Sequence, residues 1–262
     1  MSDLTEVYSP PSSAEPPPLP QMVKKSWTGW WTLLWGACVI IAWLVLQGGI
    51  LVAVFYSDGY SLDPNQARLD MENLQYDGDV LGAITLISAI IICPLCFLFG
   101  HIKKGWSGWE YLGFKKVSIL QILLWTGITF LMGLAFSLLS PYVGLDEPPE
   151  FMRRAAQSTQ YPLLFILGVA LGAPFIEEFI FRGLLFRGWR DSKMGPCLTI
   201  LLTSLMWTAL HGQYGFIVLT WLFLLGIIIG YARQKTGSIW TPIIMHAFNN
   251  TLASIEILHL IE

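Results

Sequence analysis

The sequence predicts an all-α protein, a polytopic transmembrane bundle of about seven to eight spans. Of its 262 residues, 54% are hydrophobic and only 13% are charged, whereas soluble domains carry about 25% charged residues. The mean hydropathy is +0.58. Apolar runs of about 20 residues, the length that crosses a bilayer as a helix, recur along the chain.

The N-terminal segment differs from the rest of the chain. Residues 1–25 are polar and proline-rich, with the run SPPSSAEPPPLPQ. Such a composition cannot bury a core, so we expect a disordered cytoplasmic tail. The tail has no early apolar stretch, so no cleavable signal peptide is expected. Residues 26–262 are predicted to form the transmembrane domain.

The first half of this domain contains three predicted spans. They cover residues 27–56, 80–100 and 119–139. Trp27, Trp30 and Trp31 begin the first span, as interfacial tryptophans often do. The connections are a polar loop at 57–79, a lysine-rich loop at 101–118, and an acidic, proline-containing loop followed by an amphipathic piece at 151–160.

Four further spans follow in the second half. The fourth runs over 161–190 and could break into a span and a half-helix. The fifth covers 194–210 and ends at His211, and the sixth covers 216–231. The seventh, over 239–258, contains His246, Asn249 and Asn250.

Basic residues predict the orientation. They cluster at 24–25, 103–116, 182–193 and 233–235, at alternate ends of the seven spans. Because Lys and Arg in short loops stay in the cytoplasm, the N-terminus is predicted inside and the C-terminus outside a cell inner membrane. The net charge of −3 argues against a nucleic-acid partner. The expected surroundings are membrane lipid.

Three ionisable residues interrupt the fourth span. Glu177, Glu178 and Arg182 lie within six residues of an otherwise apolar run. Each costs about 2.5–3.5 kcal/mol to insert, so such groups are usually paired and functional. Glu178 and Arg182 are four residues apart and can pair on one helix face. Glu177 is rotated by about 100° and can face another group. A structural ion pair at the membrane edge is the alternative interpretation.

Polar groups also occur on two later spans. Trp207 and His211 end the fifth, and His246 and Asn250 share one face of the seventh. Singly, they could be a capping histidine and a hydrogen bond between helices. Together, an acid, two imidazoles and an amide are what a peptide hydrolase needs, since a desolvated carboxylate can act as a base. Neutral donors in a low-dielectric cavity can stabilise an oxyanion.

Two other patterns are interpreted as structural. Gly226-x-x-x-Gly230 permits close packing of helices. Cys93 and Cys96 form a C-x-x-C pattern around Pro94, but inside an apolar run and without a second pair. We interpret them as core- or lipid-facing thiols beside a proline kink.

These residues, in this order, resemble the CPBP family (CAAX protease and bacteriocin-processing, also called ABI) of intramembrane proteases. The family motifs E-E-x-x-x-R, F-x-x-x-H and H-x-x-x-N or H-x-x-x-D correspond here to residues 177–182, 207–211 and 246–250, within a protease core at about 110–255. Trp207 stands where the family usually has Phe. The resemblance implies that Glu177 is the catalytic base and that His211 helps to activate water. It further implies an oxyanion site made by His246 and Asn250, with supporting roles for Glu178, Arg182, Trp207 and Asn249.

The predicted function is therefore an intramembrane endopeptidase of the glutamic type, without a cofactor. The position of 182–190 in a basic region predicts a cavity that opens near the cytoplasmic leaflet. The substrate would be a peptide or protein, lipidated or membrane-embedded. Three alternatives stay open: a zinc enzyme using Glu177, His211 and His246, a proton-coupled transporter, and a non-catalytic immunity-type membrane protein.

Overall fold

The computed structural model describes residues 24–145 and 147–261, with side chains to residue 259. The described residues form ten helices and no strand, which confirms the predicted fold class. They are α1 (Gly29–Ser57), α2 (Pro64–Gln75), α3 (Gly78–His101), α4 (Gly108–Leu112), α5 (Ile119–Leu139), α6 (Glu150–Ser158), α7 (Pro162–Arg190), α8 (Gly195–Ala209), α9 (Phe216–Thr236) and α10 (Trp240–Ile261). The predicted disordered tail falls, up to residue 23, outside the described residues.

The seven predicted spans correspond to α1, α3, α5 and α7 to α10. By length and composition, α1, α3, α5, α7 and α9 could each cross a membrane. Helix α8 has 15 residues and rises only about 22 Å, less than the hydrocarbon thickness of about 30 Å. Helix α10 has 22 residues but carries His246, Asn249 and Asn250 near its middle.

Two helices form where the sequence had predicted loops. Helix α2 begins at Pro64, and the side chain of Asp63 accepts hydrogen bonds from the first-turn amides. An Asp cap followed by Pro is a local start signal that the polar composition concealed. A capping box formed by Ser107 and Glu110 caps the N-terminus of α4. The amphipathic piece predicted at 151–160 is confirmed as α6.

Helix α7 lies at the centre of the bundle, where it buries apolar side chains around most of its circumference. Its residues Ile176, Ile180, Phe181, Leu184 and Leu185 are completely buried. The helix stays continuous, so the expected half-helix does not occur. Two π-helical segments, Gly168–Gly172 and Phe179–Leu185, lie on either side of the two glutamates. Such widened turns are frequent at functional sites.

Glycines permit the close helix contacts around α7. A Cβ atom on Gly168 would lie 2.5 Å from Cα of Gly82 in α3. The packing predicted for Gly226 and Gly230 is found between α8 and α9. A Cβ atom there would lie 3.0 Å from the Trp207 ring and 3.1 Å from the Ile200 side chain, respectively.

The predicted basic regions all lie at one end of the bundle, where α1, α5, α8 and α10 begin; we call it the basic end. Besides Arg182, two of their arginines are nevertheless buried. Arg233 donates to the carbonyl oxygens of Arg182 at 2.9 Å and Leu112 at 3.2 Å, and Arg187 donates to that of Tyr111 at 3.2 Å. These two side chains connect helices rather than face water. The opposite end, which holds α2 and α6, is the acidic end.

Candidate active site

Helix α7 carries both glutamates into the interior of the bundle. Glu177 is 6% exposed and Glu178 is completely buried. Oε1 of Glu178 accepts a hydrogen bond from Nη1 of Arg182 at 3.2 Å, so the predicted pair forms. Nη2 of Arg182 also donates to the carbonyl oxygen of Gly226 at 3.0 Å. Arg182 thereby connects α7 to α9.

His246 of α10 lies between the two carboxylates. Its Nδ1 donates to Oε1 of Glu178 at 2.9 Å, and its Nε2 lies 3.8 Å from Oε2 of Glu177. The side chain is almost completely buried. Sequence reasoning had given His246 no carboxylate partner, since no local pattern links α10 to α7.

Glu177 has a hydrogen-bond partner that the sequence did not predict. Nε1 of Trp207 donates to Oε2 of Glu177. Phe, the usual family residue at this position, has no such donor. The replacement of Phe by Trp, which we had interpreted as only keeping an aromatic ring near the site, adds a hydrogen bond to the predicted base.

His211 follows the C-terminus of α8 and is oriented by the same tryptophan. Its Nδ1 lies 2.9 Å from the carbonyl oxygen of Trp207, which can only accept, so Nδ1 carries the hydrogen. In the neutral ring Nε2 is then an acceptor. The Trp207 ring centroid lies 5.1 Å from the ring of His211 and 5.2 Å from that of His246.

The two asparagines form a hydrogen-bonded pair beside the site. Nδ2 of Asn250 donates to the carbonyl oxygen of Val169 at 3.0 Å, and Nδ2 of Asn249 donates to Oδ1 of Asn250 at 3.3 Å. Val169 belongs to the first π-helical segment of α7. One of the two amide hydrogens of Asn250 therefore forms a hydrogen bond between α10 and α7. The role of Asn250 in an oxyanion site stays a prediction.

A cavity of about 750 Å³ adjoins this cluster. Its walls include Trp207, His211, His246, Asn249 and Asn250, together with the second half of α5 and the loop before α6. The lining also includes Ser140, Leu145 and Glu147, at the acidic end. A helix of α7's length places Arg190 about 20 Å beyond the glutamates. That the cavity opens near the cytoplasmic leaflet stays a prediction.

The described site residues are not grouped as the ligands of a metal centre. Among the described residues, no three His, Cys, Asp or Glu side chains are grouped so that they could hold a metal ion. Nδ1 of each histidine is engaged by a protein oxygen, and Nε2 of His246 lies beside Glu177 without His211 as a third ligand. The zinc arrangement considered from the sequence does not fit this geometry.

A family model covers the part of the chain that contains the site. Residues 159–252 match the family described as type II CAAX prenyl endopeptidase Rce1-like. The match includes every predicted site residue, from Glu177 to Asn250. It leaves α1 to α6 outside.

Three curated proteins are similar to longer or shorter parts of the chain. An uncharacterized 24.3 kDa protein of Escherichia coli is 33% identical over 119 residues, which is 44% of this chain and 54% of that protein. The membrane-embedded CAAX protease MroQ of Staphylococcus aureus (strain USA300) is 26% identical over 56% of this chain and 57% of MroQ. The membrane peptidase candidate YdiL of Bacillus subtilis (strain 168) is 22% identical over 83% of this chain and 86% of YdiL.

The chain thus spans little more than half the length of two of these relatives. No solved structure matches it.

Proposed function

We propose that this chain is an intramembrane endopeptidase of the glutamic type, a proposal supported by the match of residues 159–252 to the type II CAAX prenyl endopeptidase Rce1-like family. One observation carries the proposal. Trp207 and His246, which contact the buried carboxylate of Glu177, line a cavity that His211 also lines. This is the arrangement that water activation inside a membrane requires.

In the proposed reaction Glu177 takes a proton from a water molecule in the cavity, and the water oxygen attacks the peptide carbonyl carbon. Nε2 of His211 accepts a hydrogen bond from the second O–H of this water and so orients it. The C=O π electrons move to oxygen and form an oxyanion. Glu177 then gives its proton to the departing amine, the oxyanion electrons re-form the C=O bond, and the C–N bond breaks, leaving a carboxylic acid and an amine.

His246 supplies the oxyanion donor in this scheme. Its Nδ1 hydrogen is directed at Glu178, so donation from Nε2 requires the doubly protonated ring. Glu177 and Glu178 would then carry two negative charges, and Arg182 and His246 two positive ones. A buried set of charges that sums to zero is the form that a low-dielectric site tolerates. The second amide hydrogen of Asn250 is the proposed additional donor.

The proposed substrate is an apolar peptide segment that enters from the acidic end. Much of the cavity wall is hydrophobic and aromatic, with Phe130, Leu134, Phe136, Leu222 and Phe248. Such a wall favours a membrane-embedded or lipidated chain over a soluble polar peptide.

The test is the Glu177→Gln variant, which keeps the size of the side chain and removes the base. New N-termini in membranes of cells carrying wild-type protein would identify substrates, and purified protein would then be assayed on the corresponding peptides. We expect a loss of activity of about 10²- to 10⁴-fold. Glu256→Gln is the matched control because Glu256 lines the same cavity outside the cluster. Cleavage by Glu177→Gln at the wild-type rate would rule out the mechanism.

The reaction is proposed without a metal. Activity should therefore be unchanged after treatment with a strong chelator. Loss of activity that added zinc restores would contradict the metal-free form, while leaving the endopeptidase assignment in place.

A further inference from the structure

A second and larger cavity lies at the basic end of the bundle. It has a volume of about 1420 Å³ and is bounded by the residues before α1, the first turns of α1, the end of α7, and α8. None of the predicted catalytic residues lines it. A ligand of this cavity must therefore be inferred separately from the proposed proteolytic site.

The rim of this basic-end groove is strongly cationic. Lys24, Lys25, Arg187, Arg190 and Lys193 line it, against the single lining acid Asp191 among the described residues. Arg190 pairs with Asp191 at 2.6 Å, and Lys24 pairs with Glu110 at 3.0 Å. Counting both acids, five positive charges face two negative ones. A net positive rim attracts an anion.

Below the rim the walls are apolar. Trp30 and Leu33 of α1 face Leu202 and Met206 of α8 across the groove. Leu202 and Met206 come seven and eleven residues after Gly195, which corresponds to about 10 Å and 17 Å along the helix. Trp30 is 83% exposed and Leu33 is 38% exposed, so this surface is open. A polar solute would gain nothing from these walls.

We propose that this groove binds an anionic phospholipid, with the phosphate at Lys25, Arg190 and Lys193 and an acyl chain along Leu33, Leu202 and Met206. The occupant must combine a negative head with a long apolar tail, because the rim is cationic and the apolar wall extends to Met206, about 17 Å along α8. Basic pockets between transmembrane helices recognise lipid headgroups in this way. Arg187 lies deeper and donates to the backbone carbonyl oxygens of Tyr111 and Glu110, so it contributes charge at a fixed position.

The test measures the lipid retained by the purified full chain. Protein would be exchanged into bilayer discs of equal phosphatidylglycerol and phosphatidylcholine, re-extracted in mild detergent, and its bound lipid quantified by mass spectrometry. Each basic side chain near a headgroup contributes about fivefold in affinity. We expect wild type to enrich phosphatidylglycerol at least fivefold, and K25Q/R190Q/K193Q to show a ratio near one.

The matched control is K104Q/K115Q/K116Q, which removes the same charge from the same end but outside the groove. It should keep the wild-type ratio. A second variant, Leu202→Trp, fills the apolar part and should lower retained phospholipid without a change of charge. A site that binds only free phosphate would not be affected by Leu202→Trp. Equal retention of both lipids by wild type, equal loss in both triple variants, or no effect of Leu202→Trp would each overturn the proposal.

Discussion

At the residue scale, Glu178 connects two side chains through a single carboxylate oxygen. Oε1 accepts from Arg182 at 3.2 Å and from His246 at 2.9 Å. The ion pair with Arg182 holds the Glu178 carboxylate in a fully buried position, and this carboxylate orients Nδ1 of His246 toward itself. The residue next to the proposed base thus determines which imidazole nitrogen faces Glu177.

Trp207 provides the first residue-scale prediction. Trp207→Phe restores the usual family residue and keeps an aromatic ring, but removes the indole donor to Glu177. Loss of a hydrogen bond to a buried charged group costs about 1.5–3 kcal/mol. We expect at least a tenfold decrease in kcat, measured on the peptide identified for wild type.

The matched control for this change is Trp221→Phe. Trp221 lines the same cavity, but its ring stacks on Phe136 with centroids 4.8 Å apart. Unlike Trp207, it is not a hydrogen-bond donor to Glu177. It should retain wild-type kcat within about twofold. Wild-type kcat in Trp207→Phe would show that the indole hydrogen bond does not position the base.

At the scale of single elements, α7 combines two properties that usually conflict. It is the most buried helix of the bundle, yet it carries Glu177, Glu178 and Arg182. The π-helical turns expose additional backbone carbonyl positions, and Val169 in the first of them accepts from Asn250. The helix is therefore connected to α10 at two levels, through His246 and through Asn250.

The crossing of α3 and α7 gives the element-scale prediction. In Gly168→Ala the new Cβ would lie 2.5 Å from backbone Cα of Gly82, which cannot move independently. Overpacking of this kind costs about 1–3 kcal/mol. We expect a clear decrease in the apparent Tm of the purified protein in detergent, measured by intrinsic tryptophan fluorescence.

Gly127→Ala in α5 is the control, because a Cβ atom there has no neighbour within 4 Å. Alanine favours a helix over glycine by about 1 kcal/mol, so Tm should be unchanged or slightly higher. An equal Tm for Gly168→Ala and wild type would contradict the backbone contact between α3 and α7.

At the scale of the whole molecule, the two ends of the bundle carry different sites. The short helix α8 ends at the turn that contains His211, well before the acidic end is reached. The depression that this leaves, between α5, α9 and α10, is the proposed catalytic cavity. The basic end holds the separate groove proposed for an anionic lipid. Substrate and lipid would therefore approach from opposite leaflets.

Cysteine labelling tests this arrangement. In a background without Cys38, Cys93, Cys96 and Cys197, Glu147→Cys reports on the rim of the catalytic cavity and Ser192→Cys on the basic-end groove. If the basic end is cytoplasmic, a membrane-impermeant maleimide added to intact cells should label only Glu147→Cys. Ser192→Cys should react after permeabilisation.

The opposite pattern would reverse the predicted orientation while leaving the two-ended arrangement unchanged. Labelling of both positions from the same side would contradict the placement of the cavity at the acidic end.

The sequence by itself determined what depends on local composition and spacing. Hydropathy located seven helical segments, because crossing a bilayer requires a continuous apolar run. Four-residue spacing predicted the contact of Glu178 with Arg182, because both lie on one helix. The motifs that resemble the family identified Glu177, His211, His246 and Asn250 as candidates. The polar composition of 57–79 predicted a loop, whereas the N-cap at Asp63 starts helix α2 within this segment.

Only the tertiary structure decided how these candidates meet. Trp207 reaches Glu177 across 30 positions of the sequence, and His246 reaches Glu178 across 68. It also decided that the cavity is lined by residues of α5, α8, α9 and α10, and that Arg187 and Arg233 are buried. Such contacts depend on how separate helices pack and on where each one stops. The residue pattern of a single helix does not contain this information. It determines where that helix forms and which of its faces is apolar, but not where the neighbouring helices lie.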